Sequence, residues 1–369
     1  MRKALIILST VLFTWSCDDQ KEEVPQDSFD RSAMLVNWAD NLIIPGYQDY
    51  LGKLQTLQSQ VDEFVSNPTE GGLSDLRGAW KDAYLAWQHV AMFEIGQAEG
   101  IGLQGYTNMY PTDTEEMLSI ISSGSYNLEL PSRRNQQGLP AFDFMINGLA
   151  DSDAGIVSIY ADMSNGESYR SFLLDLSSRL LEITIPVVED WTQNGYRDTF
   201  VSNDGSSATG AVNKIANDFI YHFEKNLRAS KIGIPAGVFS GTPDSEKVEA
   251  VYRHDISKEL FDESLEAAKD FFNGIELESG NQGAGFASYL RFLNSMNDGE
   301  DLAALINSQF EAIQRTASNL DASLANQIET NNSAMLDTYD ELQQNVIFFK
   351  VDMMQALNIR IDYVDADGD

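Results

Sequence analysis

Apolar residues recur every three or four positions along most of this chain, whereas alternation with a period of two is nearly absent. Such spacing places apolar side chains on one face of an α-helix and predicts an all-α fold. One stripe begins at Leu302 and predicts a helix of about six turns. A second stripe follows Ser333, a candidate N-cap. The two stripes consist of Leu302, Leu305, Ile306, Phe310, Ile313, Ala317, Leu320 and Leu324, and of Leu336, Tyr339, Leu342, Val346, Phe349 and Met353.

Prolines divide the helical pattern in two places. The region 35–64 contains two helical stretches that we expect to part near Pro45 and Gly46. Pro186 should kink a long helix whose apolar face includes Phe172 and Trp191. Further helices are predicted at 73–95, 212–230, 257–272 and 286–296.

Loops rich in Gly, Ser, Asn and Asp separate these helices, and one of them is the predicted domain boundary. The chain is long enough for two cores. We therefore expect two helical-bundle-like domains, 31–201 and 207–369, with an interdomain cleft and an acidic tail on the second. The loops lie at 122–139, 202–210 and 273–284.

The amino terminus has the organisation of a bacterial export signal. Arg2 and Lys3 precede an apolar run at 4–13, and the segment 1–16 ends just before Cys17. A lone cysteine is often a buried core residue, but this position predicts a lipid-attachment site. The apolar run is far shorter than the roughly 20 residues that span a bilayer.

An acidic segment, 17–30, follows the cysteine and includes Asp18, Asp19, Glu22 and Glu23. It is typical of a disordered tether. It also resembles lipoprotein export signals of the Bacteroidetes. We therefore expect an exported lipoprotein, held by its lipid anchor on the periplasmic or the surface face of the outer membrane.

Charge and cysteine content exclude several functions. The chain has 24 Lys and Arg against 57 Asp and Glu, a net charge of −33. Phosphates of nucleic acids would be repelled, so no nucleic-acid partner is expected. With Cys17 as the only cysteine, an intramolecular disulfide is impossible, and helix packing must supply the stability.

Motifs of common enzyme sites are missing from the sequence. It has no Gly-x-Ser-x-Gly elbow, phosphate loop or dinucleotide fingerprint. His89, His222 and His254 are too scattered for a conventional zinc site. The acidic residues at 365–369 form an incomplete calcium loop, and a solvated tail is the simpler interpretation.

An aromatic stripe on one predicted helix has two interpretations. Trp80, Tyr84 and Trp87 share a face of the stretch that continues to Glu94. Aromatic residues at this spacing usually belong to a core, but they could also form a wall of the cleft.

Several segments, taken in order, resemble the imelysin-like family, which is also known as peptidase M75. The tryptophan-rich helix ends in Phe93-Glu94-Ile95-Gly96, and Tyr110-Pro111-Thr112-Asp113 follows. The family signature Gly-x-His-x-x-Glu aligns with Gly138-Leu139-Pro140-Ala141-Phe142-Asp143. The segments 248–274, which contains Tyr252 to Ser257, and 350–369 resemble the branch found in Bacteroidetes lipoproteins.

The resemblance implies two helical domains over 31–360, with the signature lining the cleft at their junction. It also brings two functional associations, metallopeptidase activity and periplasmic iron uptake. The residues it places at the cleft are Trp80, Tyr84, Trp87, Glu94, Pro140, Asp143, Arg253 and Ser257.

Two substitutions in the signature weigh against catalysis. Pro140 replaces the histidine and has no lone pair for a metal, and Asp143 replaces the glutamate. A catalytic metal needs about three protein ligands, which Asp143 alone cannot supply. Asp143 could hold a divalent or iron cation with other carboxylates, pair with Arg253, or simply complement a helix N-terminus.

These observations favour a non-catalytic binding protein that takes a small ligand or a metal ion in the cleft. Two other functions stay open. The chain could be a metallopeptidase with an atypical ligand set, or a structural lipoprotein that docks beside a TonB-dependent receptor or a neighbouring lipoprotein.

Overall fold

Helices form almost all of the regular structure in residues 28–363, the part of the chain that this computed structural model describes. The side chain of Met296 is not described either. The predicted signal segment 1–16, the lipid-attachment residue Cys17 and the acidic tail 365–369 lie outside the described residues. The predicted all-α fold is confirmed.

The first half of the chain supplies ten helices to the described structure. They are α1 (Arg31–Trp38), α2 (Ile44–Ser66), α3 (Glu70–Val90), α4 (Gln97–Ile101), α5 (Leu103–Thr107), α6 (Thr114–Ser123), α7 (Gly138–Asp143), α8 (Asp153–Ala161), α9 (Gly166–Thr192) and α10 (Tyr196–Ser202).

The second half is helical apart from a two-residue β-hairpin. Its helices are α11 (Ala211–Tyr221), α12 (Ser257–Asn273), α13 (Phe286–Phe292), α14 (Leu302–Ala317), α15 (Leu324–Ile347) and α16 (Met354–Ala356). The antiparallel strands are β1 (Met296–Asn297) and β2 (Glu300–Asp301). Wider π-helical turns cover Ala39–Ile43, Phe144–Gly148, His222–Gly233 and Phe348–Met353, and 3₁₀ turns cover Pro131–Gln136 and Ser245–Lys247.

The helix predicted to start at Ser333 begins earlier. Ser323 caps α15 by accepting a hydrogen bond from the Asn326 N–H, so the helix starts at Leu324. The backbone then leaves helical geometry at Asn331, where φ is −157°. The sequence therefore located the second part of this helix but missed its capped first turns. The preceding helix ends at Ala317 rather than at Leu324.

The predicted break near Pro45 is wrong. The chain passes from α1 through the π-helical turn into α2 without leaving helical geometry. Proline has no N–H, so the carbonyl of Asn41 lacks its usual partner four residues on. The N–H of Leu277 donates to that carbonyl at 2.9 Å. Pro186 also lies inside a helix, since α9 continues to Thr192.

One contiguous core of buried apolar side chains extends through both halves of the chain. In the first half α2 packs on α3 and α9, and in the second half α14 packs on α15. Helix α1 packs against the second half: the Trp38 ring lies 4.8 Å from Phe271 and 4.7 Å from Phe286. The boundary predicted at 202–210 stays a prediction. None of the helices within residues 28–363 has both the length and the apolar character to cross a membrane.

Candidate functional site

A cavity of about 390 Å³ lies where the two halves of the chain meet. The segment from α3 to the 3₁₀ turn forms one wall, and the end of α11 with the following π-helix forms the other. A π-helical turn holds more residues than an α-helical one and is frequent at functional sites. The polar lining residues are Gln88, Glu94, Gln104, Asn108, Tyr110, Arg134, Tyr221, His222, Asn226, Ser230 and Lys231.

A chain of buried hydrogen bonds holds one side of the cavity. The Tyr84 hydroxyl donates to Asn108 Oδ1 at 2.6 Å, and Asn108 Nδ2 donates to Glu249 Oε1 at 2.7 Å. Glu249 Oε2 forms an ion pair with the ammonium of Lys231. Burial lowers the pKa of Lys231, and the carboxylate of Glu249 opposes that shift. Because the two charges compensate each other, Lys231 presents no free positive charge to the cavity.

His222 is a neutral group on the opposite wall. Burial, followed by the charge of Lys231, lowers the pKa of His222 to about 3. Its Nε2 lies 3.2 Å from Ser264 Oγ, and Asn226 Nδ2 lies 3.3 Å from its Nδ1. The imidazole therefore acts as a hydrogen-bonding group and carries no charge at neutral pH.

Arg134 brings a positive charge to the cavity. Its guanidinium carbon lies 4.7 Å from the centre of the Tyr106 ring. Gly102 and Gly105 leave room for the Arg134 side chain. A β-carbon at Gly102 would lie 3.0 Å from Arg134 Nη2, and a β-carbon at Gly105 would lie 3.2 Å from Arg134 Nε. Nε is buried and has no hydrogen-bond partner among the described residues.

Glu94 also lines the cavity and interacts electrostatically with Arg134. Its carboxylate accepts a hydrogen bond from the N–H of Gln104 at 3.2 Å. Burial raises the pKa of Glu94. The hydrogen bond from the Gln104 N–H and the charge of Arg134 lower the pKa, but by less than burial raises it. The cavity thus combines one guanidinium, a carboxyl group whose pKa is raised by burial, and several amides and hydroxyls.

The signature residues lie in packed structure. Asp143 is buried; its Oδ2 accepts from the Tyr252 N–H at 2.8 Å and its Oδ1 from Asn147 Nδ2 at 3.0 Å. The backbone N–H of Arg253 is a further donor, whereas the Arg253 guanidinium pairs with Asp255. Burial raises the pKa of Asp143 to about 7 against these hydrogen bonds. Arg253, one of the possible partners of Asp143, thus contributes its backbone N–H to the hydrogen bonding of this carboxylate.

The other predicted cleft residues have structural surroundings. Trp80 and Trp87 are fully buried, and Trp80 Nε1 donates to the Leu139 carbonyl at 3.0 Å. Pro140 is buried in the first turn of α7. Ser257 Oγ accepts from the Leu324 N–H at 2.8 Å, which ties α12 to the start of α15. The stripe is therefore core, as aromatic spacing on a helix usually indicates.

Of the predicted cleft residues, all of which are described, Glu94 lines the cavity and Tyr84 reaches it through Asn108. The sequence reasoning missed Arg134, Lys231 and Glu249. A signal existed in the sequence, because the doublet Arg133-Arg134 is unusual in so acidic a chain.

Nowhere between residues 28 and 363 do three or more His, Cys, Asp or Glu side chains come together in a way that could hold an ion. Asp143, the predicted metal ligand, already directs its oxygens at N–H donors.

Comparison with known proteins gives consistent matches. The family model described as imelysin, peptidase M75, matches residues 43–346. Iron-regulated protein A of Synechococcus elongatus is 21% identical over 159 residues, which are 39% of this chain and 44% of that protein. The chain thus spans less than half the length of this curated relative.

Two solved structures share the fold. One is described as an iron-regulated protein A precursor from Parabacteroides distasonis, with a TM-score of 0.66 and 18% identity over 86% of this chain and 95% of that one. The other is an imelysin-like protein from Psychrobacter arcticum, with a TM-score of 0.68 and 17% identity over 90% and 97% of the two chains.

Proposed function

This chain belongs to the imelysin family, and we propose that it is a non-catalytic binding protein that takes a small polar ligand in the cavity between its halves. The observation that supports this function is the cavity itself. It has the size of a small-molecule site and is lined by amides, hydroxyls, the carboxyl of Glu94 and the guanidinium of Arg134, whose Nε has no hydrogen-bond partner among the described residues.

The positions of the family signature favour binding over peptide hydrolysis. Activation of water by a metal needs about three ligands and an open coordination position. Pro140 offers no ligand atom, and Asp143 is surrounded by N–H donors. Neither residue lines the cavity.

A link to iron or other nutrient uptake is the second part of the proposal. It is supported by the description iron-regulated protein A, which is given to the Synechococcus relative and to the Parabacteroides precursor. A strain without this protein should grow more slowly under iron limitation and normally in iron-replete medium. If that strain grew as fast as the wild type under iron limitation as well, the proposed link to iron uptake would be contradicted.

Thermal unfolding with a panel of ligands tests the cavity. Organic acids, sugars, amino acids and iron salts are added to the wild type, to Ser230→Trp, which fills the cavity, and to Ser59→Trp, on an exposed face of α2. A ligand that binds the folded state raises the unfolding temperature. We expect a rise in the wild type and in Ser59→Trp but none in Ser230→Trp. Equal rises in all three proteins would place the binding elsewhere.

The alternative activity, a metallopeptidase with an atypical ligand set, has its own assay. The purified protein is incubated with a peptide library with and without a chelator, and with added zinc. We expect no cleavage. Chelator-sensitive cleavage that disappears in Asp143→Ala would replace the binding function by the enzymatic one.

We also propose that Cys17 carries a lipid that holds the protein at the outer membrane. Cys17→Ser should abolish incorporation of labelled fatty acid and release the protein from the membrane fraction.

A TonB-dependent receptor or a neighbouring lipoprotein is the proposed partner, and crosslinking followed by purification of the anchored protein tests it. A receptor that co-purifies equally well with Ser230→Trp would support docking independent of the cavity.

A further inference from the structure

Arg134 is a guanidinium that lines the cavity without forming an ion pair with any of the described residues. Among residues 28–363, no carboxylate lies within ion-pair distance of this side chain, and its buried Nε lacks an acceptor. A partly desolvated charge without a partner is costly. A ligand that brings an anionic group would therefore gain a strong, charge-assisted interaction here.

The fold holds this guanidinium in place before any ligand arrives. The Tyr106 ring supports it on one side, and the guanidinium carbon of Arg179 lies 5.4 Å from the same ring. Gly102 and Gly105 let the side chain lie close to the backbone. A rigid, planar guanidinium suits two parallel hydrogen bonds to a carboxylate better than an ammonium does.

The other charges in the cavity decide between anions. Lys231 is neutralised by Glu249, and His222 is uncharged, so Arg134 supplies one positive charge. Glu94 interacts electrostatically with that charge, which lowers the pKa of its carboxyl group. A phosphate dianion would meet a single cation and a nearby carboxyl, whereas a carboxylate group matches the one guanidinium.

A second unsatisfied atom identifies another part of the ligand. Gln104 Oε1 is buried, lines the same cavity and has no donor among the described residues. A carbonyl oxygen accepts hydrogen bonds only, so the matching ligand group is a hydrogen-bond donor, such as a hydroxyl.

We propose that the cavity binds a small hydroxycarboxylate, whose carboxylate accepts hydrogen bonds from Arg134 and whose hydroxyl donates to Gln104 Oε1. This inference rests on the proposed binding function and names its ligand class. Hydroxycarboxylates also chelate ferric iron through oxygen, so an iron link would pass through the chelating molecule rather than through a bare cation.

Calorimetric titration of the full chain tests the inference with defined probes. Citrate, malate and gluconate carry a carboxylate and a hydroxyl, succinate lacks the hydroxyl, erythritol lacks the carboxylate, and inorganic phosphate is the other anion. We expect at least one hydroxycarboxylate to bind, succinate to bind more weakly, and erythritol and phosphate not to bind.

The matched variants are Arg134→Gln and Arg133→Gln. Arg133 carries the same charge one residue away but pairs with Glu116 and does not line the cavity. Loss of charge-assisted hydrogen bonds should weaken binding roughly 10- to 100-fold in Arg134→Gln. Binding by Arg133→Gln should stay within about twofold of the wild type, because only a distant charge changes. Arg134→Lys keeps the charge in case the glutamine variant fails to fold, and should also bind more weakly.

The inference is overturned if no hydroxycarboxylate binds, if phosphate alone binds, or if Arg134→Gln and Arg134→Lys both bind like the wild type. The proposed function fails separately. If a neutral ligand stabilises the wild type and not Ser230→Trp, the binding function stands while the anionic ligand class falls.

Discussion

Asp143 replaces a signature residue of the family, and in this chain its carboxylate has a structural role as a hydrogen-bond acceptor. The sequence left open whether it holds a metal, pairs with Arg253 or complements a helix end. In the folded chain it gathers N–H donors from Asn147, Tyr252 and Arg253. Sequence alone could not settle this, because two of the three donors, Tyr252 and Arg253, lie more than 100 positions away along the chain.

Asp143→Ala should destabilise the protein while leaving the cavity intact. Tyr252 and Arg253 would keep partly buried N–H groups without acceptors, which costs on the order of 1–3 kcal/mol. Urea unfolding measures the loss, with Asp151→Ala as an exposed control. Unchanged stability in Asp143→Ala would mean that the carboxylate does not organise this loop.

Asp218 is a partly buried carboxyl whose ionisation opposes folding. Burial, followed by the charges of Glu94 and Glu99, raises the pKa of Asp218 to about 8, and its Oδ2 has no hydrogen-bond partner among the described residues. The unfolded pKa is about 3.9, so the folded state binds more protons between these values. Its contribution to the free energy of unfolding therefore falls as the pH rises from about 4 to about 8.

Asp218→Asn should remove this penalty. The variant should gain stability relative to the wild type as the pH rises from 5 to 8, by on the order of 1 kcal/mol or more at the upper end. Urea unfolding at pH 5, 6.5 and 8 measures the difference, and Asp49→Asn removes an equal charge from an exposed site. A gain that is the same at all three pH values, or equal to that of Asp49→Asn, would contradict the assignment.

At the scale of elements, periodicity located most helices but not their ends. Stripes at three- and four-residue spacing predicted α12 and the start of α14, since one face of each helix is buried. The passage through Pro45 could not be predicted, because the partner of the Asn41 carbonyl is Leu277, far along the chain. The π-helix at His222–Gly233 could not be predicted from the sequence either, since its widened turns depend on tertiary packing.

The loop after α12 depends on Asn37. Its Nδ2 donates to the carbonyls of Gly274 at 3.0 Å and Ala284 at 2.9 Å, and so joins the two ends of the loop to α1. Asn37→Ala should leave both carbonyls without this donor and cost on the order of 1–3 kcal/mol. Hydrogen exchange should become faster across 274–284. The control is Asn194→Ala, at an exposed position after α9; equal exchange in both variants would contradict the role of Asn37.

For the whole molecule, the apolar periodicity predicted the all-α fold, and the order of segments identified the family. The site could not be obtained in this way. The family signature pointed to α7, whereas the cavity is formed by Arg134 and the π-helix, which come together only on folding. Aromatic residues likewise indicated burial correctly but not which surface they bury.

The continuous core predicts that both halves unfold together. Trp38 of α1 is fully buried between Phe271 and Phe286 of the second half. Trp38→Ala should cost about 3–5 kcal/mol and lower a single unfolding temperature. Differential scanning calorimetry measures it. Two separate transitions in the wild type, with only one shifted by the substitution, would instead favour the independent domains 31–201 and 207–369.

Native mass spectrometry of the full chain purified from its own cells is the most direct test of ligand binding in the cavity. The wild type and Ser59→Trp should carry a small molecule that is released on unfolding, whereas Ser230→Trp should carry none. A wild-type protein without any bound molecule, or the same molecule at equal occupancy in Ser230→Trp, would contradict binding at this site.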